Sequence, residues 1–220
     1  MKFTIAFVIF VFTAVSFAQG PEKVDLTVQR KVKGNAIISK ELPAATLRFP
    51  KGFRYAGGHA FILYDVARAE QHFYVDADAD GNVTRMYWIQ FEGYLPSNTH
   101  AYDYSSPKKV NIGGYDFFAD VSPQKIDPKR GRPDSDGNRA REFLTQKGFK
   151  IASDEVMTQR LVAMLTPDNR QELMIIYLEV LTPFGVTAAD LAEGGKDRSK
   201  WPAMADGLLK RAVAGIRIDR

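Results

Sequence analysis

Two apolar runs in the last third of the chain constrain its fold more than any other feature. Residues 156–165 and 172–181 carry apolar side chains in both registers, and Pro167-Asp168-Asn169 between them is a turn signal. Successive side chains of a strand point to opposite faces, so apolar residues in both registers mean that both faces are shielded from water. The pair is expected as a hairpin near the centre of a sheet, covered on each side.

The rest of the chain reads as strands followed by helices. Val24, Leu26, Val28 and Val32 alternate with polar residues, which predicts a half-buried strand over 24–33. Gly34-Asn35 breaks it and Ala36-Ile37-Ile38 restarts it; 46–49 is a further short strand closed by Pro50-Lys51-Gly52. Residues 53–55 and 59–64 flank the Gly57-Gly58 pair. Residues 71–75 and 83–91 are rich in aromatic and β-branched side chains and form the clearest early hairpin. In 110–121 the inner face is Ile112, Tyr115, Phe117, Ala119 and Val121, with a bulge expected at Gly113-Gly114.

Helices come later. Ala140, Phe143, Leu144 and Lys147 lie on one stripe, with Ser135 or Asp136 as N-cap and Gly148 beyond the end. Residues 187–192 predict a short helix. Trp201, Met204, Ala205, Leu208, Leu209, Ala212, Val213 and Ile216 recur at spacings of three and four, and Pro202 suits a first turn. This order points to an α+β class: a twisted antiparallel β-sheet with helices packed on one face. The alternative is two sheet-plus-helix halves, divided at the Pro/Gly-rich loop 122–133.

The first residues carry an address. Lys2 precedes an apolar stretch over 3–15, and Ser16-Phe17-Ala18 places small residues where a signal peptidase reads. Residues 1–18 are read as a cleaved signal peptide and 19–220 as a single α+β domain, exported to the periplasm or secreted. No transmembrane segment is expected after cleavage. The chain has no cysteine, which excludes disulfides, thiol nucleophiles and thiolate zinc sites. Its net charge of +4 is too small an excess to argue for nucleic acid as a partner.

Three groups of residues invite chemistry. Asp76, Asp78 and Asp80 with Gly81 and Asn82 match the first half of a calcium loop, in which alternate carboxylates converge on one hard cation. The twelfth position is Tyr87 rather than a glutamate, and the plain reading of the same residues is a polar hairpin turn. His59, His72 and His100 are the chain's three histidines; with Glu70 they would make a zinc site if they met. Tyr87, Ile89 and Phe91 alternate with Trp88, so one face of that strand packs; Trp88, with Tyr94, Tyr102 and Tyr104 beyond it, either lines a ligand cleft or, on the plainer reading, belongs to a strand packed on both faces.

No nucleophile elbow, zinc-protease helix, phosphate loop or dinucleotide fingerprint is present. The leading expectation is an exported, non-catalytic module that binds a small molecule or an envelope partner. The alternatives are a metal-dependent hydrolase built on Glu70 and His72 with another histidine, and a structural domain steadied by calcium, the one cofactor the residues suggest.

Overall fold

Alternation decides the architecture. The computed structural model describes residues 24–129 and 132–220; the expected signal peptide lies outside them. The large sheet contains β4 (Arg54–Leu63), β5 (Ala67–Ala77), β6 (Asn82–Tyr94), β7 (Lys109–Ile112), β8 (Tyr115–Lys125), β10 (Glu155–Met164) and β11 (Gln171–Val180) in the order β4-β5-β6-β11-β10-β8-β7, all antiparallel. A two-residue strand, β9 (Lys150–Ile151), runs parallel to the start of β6. A smaller sheet holds β1 (Lys31–Lys33), β2 (Ala36–Ser39), β3 (Ala45–Arg48) and the last strand, β12 (Arg217–Asp219).

The apolar hairpin 156–180 is central, as its two-faced pattern demands. β11 lies between β6 and β10, and both of its faces are buried. Tyr87, Ile89, Leu173, Ile175, Leu161 and Phe117 point to one face, into a core shared with the small sheet. Phe73, Val75, Met86, Val156, Leu178 and Val180 point to the other.

The helices divide between these faces, which corrects the expectation that they share one. α1 (Asp136–Gln146) buries Ala140 and Leu144 against Phe73 and Met86. α3 (Trp201–Ala214) buries Leu208 and Ala212 on the opposite face, and the short α2 (Ala188–Leu191) buries Leu191 there too. A central hairpin with two apolar faces needs two covers, and one layer of helices cannot provide both. Arg211 fastens α3 through paired bonds to Glu179, Nε to Oε1 and Nη2 to Oε2, each 2.8 Å.

Local signals worked where they concern one element. The Ser135 hydroxyl caps α1 by accepting from the Asn138 N–H, and Thr187 with Asp190 forms a full capping box on α2. They failed where a distant partner decides. The alternating segment 24–30 forms no strand; only Lys31–Lys33 does, because 24–30 is held by side chains of β5 instead. Gly113-Gly114 is the turn between β7 and β8 rather than a bulge, and β4 runs unbroken through Gly57-Gly58, shifting register beside Gly57. Strands from before and after 122–133 interleave in one sheet, so that loop does not separate two sheet-plus-helix halves.

Two glycines set the place of α1. A Cβ on Gly57, whose φ is +136°, would come within 2.8 Å of the Phe143 ring. At Gly81, with φ +80°, it would collide with the Gly148 carbonyl, whose chain leads α1 into β9. A side chain at Gly57 would displace the Phe143 ring, and one at Gly81 would displace the backbone that follows α1.

Candidate functional site

A groove opens on the sheet face that α1 covers only in part. Its floor is Met86 and Trp88 of β6 with Ile176 and Leu178 of β11. These residues share a face because even-numbered positions of both strands do, and the register sets Trp88 opposite Ile176 and Met86 opposite Leu178. The first turns of α1, from Asp136 to Ala140, form one wall, and the end of β8 with the chain to Asp127 forms the other. The volume is about 990 Å³, the size of a small-molecule cleft. One end is polar: Arg160 donates to Asp120 at 2.9 Å, with its guanidinium carbon 5.4 Å from the Tyr104 ring centre. The Trp88 indole N–H is buried without an acceptor.

Beyond that end the same face holds two carboxyls, Glu172 buried and Glu92 half-buried. Glu92 and Glu172 stand directly opposite each other on β6 and β11. Glu92 accepts from the Gln90 amide nitrogen and, at 2.7 Å, from the Tyr102 hydroxyl. Gln90 in turn accepts from the Gln71 amide nitrogen at 2.7 Å, and the Gln71 oxygen lies 2.8 Å from Nε2 of His59. Each amide has one donor end and one acceptor end, so this chain of bonds sets the His59 proton on Nε2. Burial lowers the His59 pKa, favouring the neutral ring.

Glu172 has a different environment. It is 2 % exposed, and its Oε2 has no hydrogen-bond partner. Burial, then the charge of Glu92, pushes its pKa up to about 8, so the carboxyl keeps its proton at neutral pH. Burial also raises Glu92 and Asp136 above the ordinary carboxylate range.

The expected zinc residues do not meet. Glu70 and His72 are neighbours on the core face, with Nε2 of His72 3.0 Å from Oε1 of Glu70. His59 is paired with Gln71 across β4 and β5, on the opposite face, stacked on Phe143 at 4.4 Å. His100 is exposed in the segment after β6, its ring 6.1 Å from Tyr94. The period of two that puts Glu70 and His72 together is what sends His59 and Gln71 to the other side.

Glu70 is instead a structural anchor. It accepts from the backbone N–H groups of Gln29 (3.1 Å) and Arg30 (3.0 Å) and from the guanidinium groups of Arg30 and Arg68. Burial alone would raise its pKa, but the bonds from His72, Gln29 and Arg30 and the Arg30 charge hold it at about 2. Nδ1 of His72 takes the Tyr55 hydroxyl at 2.9 Å, which completes the ring's hydrogen bonding.

The acidic loop is likewise closed on itself. Asp76 pairs with Arg85. Asp78 accepts from the N–H groups of Asp80 and Asn82 and from the Asn82 amide. The carboxylates of Asp76, Asp78 and Asp80 do not converge, and among the described residues no three His, Asp or Glu side chains form a metal-binding group. The structure brings together neither the calcium set nor the zinc set: Asp76 and Asp78 are taken up in the turn, Glu70 and His72 in the anchor, and His59 and His100 lie apart from them.

The aromatic set fares differently. Trp88 lines the groove. Tyr94 stacks on Tyr102 (4.5 Å) and Tyr102 on Tyr104 (6.2 Å), roofing Glu92 and Glu172 at the groove's polar end. All four of the expected ligand-binding aromatics therefore lie on one face of the sheet.

Gln71, Gln90, Glu92, Arg160 and Glu172 were not singled out from sequence, and Asp136 reads there as a candidate helix cap. Glu92 and Glu172 carried one legible signal, a carboxylate placed in register with buried residues of an apolar strand. Comparison with family models, with curated protein sequences and with solved structures finds no match for this chain.

Proposed function

We propose that this chain is an exported binding protein that holds a small, largely apolar molecule in the groove over β6, β11 and β10. The observation that carries the reading is the floor: Trp88 and Ile176, only half-buried, form apolar surface inside a cleft of about 990 Å³, beside Met86 and Leu178, which α1 helps to bury. Clefts of this size with an apolar lining and a few polar groups are the usual form of small-molecule sites. The polar end supplies orientation through Thr158, Asp136 and the Asp120–Arg160 pair.

Binding is favoured over catalysis because the charged groups at the groove are held by protein partners. Arg160 is paired with Asp120, and Asp136 accepts from the Gly137 N–H at 2.7 Å. A small molecule is favoured over a large envelope partner because the floor is recessed between α1 and the chain after β8. The apolar stretch 3–15 supports a site of action outside the cytoplasm. Among the described residues no helix is long and apolar enough to cross a membrane.

Native mass spectrometry of the protein after incubation with a chloroform–methanol extract of the producing cells tests this. The unaltered protein is expected to carry an added mass that denaturation releases. Ile176→Trp, which fills the groove from its half-buried floor, is expected to lose that mass and to cost only about 1–3 kcal/mol of stability. An unaltered protein that remains at its bare mass overturns the reading.

A further inference from the structure

The pair formed by buried Glu172 and half-buried Glu92 has a geometry that neither the groove nor the anchor at Glu70 requires. Glu92 and Glu172 are cross-strand partners on one face, where Cβ atoms stand about 5 Å apart. Two carboxylates at that separation, away from water, do not both ionise. Hydrogen-bond direction assigns the proton. Both oxygens of Glu92 accept, one from Gln90 and one from Tyr102, as a carboxylate does. Glu172 has one such donor, the Tyr104 hydroxyl, and its Oε2 has no partner.

The cover over this pair is a single irregular segment, residues 95–108, which joins β6 to β7 without secondary structure. It places the Tyr102 hydroxyl on Glu92 and the Tyr104 hydroxyl beside Glu172. Over the pair, Tyr102 N–H donates to the Asn169 carbonyl at 2.8 Å, and Arg170 donates to the carbonyls of Leu95 and His100 at 2.9 Å each. The ends of the segment are fixed separately: Leu95 N–H donates to the Val66 carbonyl, Ser106 donates to the Ala119 carbonyl, the Lys108 carbonyl accepts from Ala119 N–H, and Lys108 pairs with Asp206. The other charged or titratable groups that face the pair are Asp136 of α1, Arg160 of β10 and Tyr94 of β6. Among the described residues that face the pair only Arg160 is cationic, and it is bonded to Asp120.

We propose that Glu92 and Glu172 hold one proton between them, resting on Glu172, and that this proton keeps the 95–108 strap closed over the sheet. When the proton leaves to solvent, two charges stand opposite each other where the strap and the sheet largely shield them from water. Water must then enter, and the strap that excludes it lifts with Tyr102 and Tyr104. The strap is thus a pH-sensitive element, independent of whether the groove holds a ligand.

The sign follows from linkage. With the strap open, Glu172 is solvated and ionises as an ordinary glutamate; with it closed, the carboxyl stays protonated to about pH 8. The closed form binds more protons across that interval, so opening becomes easier as pH rises through it, by about tenfold per pH unit for one proton.

Hydrogen exchange of the full chain, corrected for the intrinsic pH dependence of amide exchange, reads this directly. In the unaltered protein, strap opening is expected to rise by about tenfold per unit toward pH 8 and then to level off. In Glu172→Gln, which is neutral at every pH, the slope is expected to vanish. The same slope in Glu172→Gln, or a flat profile in the unaltered protein, overturns the proposal. Should the variant fail to fold, the ¹³C shifts of the glutamate carboxyls in the unaltered protein decide. One carboxyl titrating near pH 8 supports the proposal, and the absence of any titrating above about pH 6 sinks it.

Discussion

Glu70 and Glu172 are equally buried and opposite in character. Glu70 is 0 % exposed on the core face of β5, and Glu172 is 2 % exposed on the other face of β11. Burial presses on both in the same direction, against ionisation. At Glu70 two backbone N–H groups, two guanidinium groups and a histidine reverse that pressure and hold the carboxyl at about 2. At Glu172 an unpartnered oxygen and a like-charged neighbour add to it and carry the carboxyl to about 8. Burial does not decide what a carboxylate does; the number of donors aimed at it does. The first arrangement holds the segment 24–30 to the sheet, and the second stores a proton beneath a strap.

The comparison can be broken most severely at Glu70. Glu70→Gln leaves Arg30 and Arg68 beside an uncharged amide, and it is expected to cost about 3–5 kcal/mol in a urea melt, with the segment 24–30 released. A cost below about 1 kcal/mol would show that the anchor is ornamental.

Acid sharpens the contrast. The Glu70 pKa is lowered on folding, so its contribution is fully present above the ordinary glutamate range and is lost as pH falls through about 2. That loss is roughly 3 kcal/mol for the shift involved. Glu172 acts in reverse: its folded pKa is raised, so its contribution is present in acid and is lost as pH rises toward about 8. Melts across this range are expected to show a maximum between the two windows, and Glu70→Gln to flatten its acid side alone.

A smaller effect tests the donors themselves. Tyr102→Phe removes the hydroxyl that donates to Glu92 and should cost about 1 kcal/mol. It should also raise Glu92 further, since the donated bond favours the ionised form. An unchanged melt together with an unchanged carboxyl titration would mean that Glu92 does not depend on the strap.

Signals confined to one element were legible in advance. The central hairpin, the α1 cap at Ser135, the α2 start at Thr187 and the inner face of β8 each follow from a spacing or a cap within a few residues. So did the common face of Trp88, Tyr94, Tyr102 and Tyr104, in its β6 part, because alternation alone separates Trp88 from Tyr87. The residues of the metal sets stay apart for the same reason that Trp88 and Tyr94 share a face. Asp76, Asp78 and Asp80 share a short turn, but their partners there are Arg85 and the turn's own N–H groups, which composition does not reveal. His59 and Glu70 are near in sequence, yet a strand's period of two sends them to opposite faces once β4 and β5 pair.

By itself the sequence determined which residues alternate, which cap, and that the strands at 156–180 need cover on two sides, because these are properties of spacing along one chain. Only the tertiary structure decided that β6 lies beside β11, and with it that Glu92 meets Glu172, that Trp88 meets Ile176, and that α1 leaves a groove open above them. Strand neighbours are chosen by the burial of whole faces, a collective quantity summed over both sheets and three helices. No local pattern encodes which carboxylates that summation will bring together.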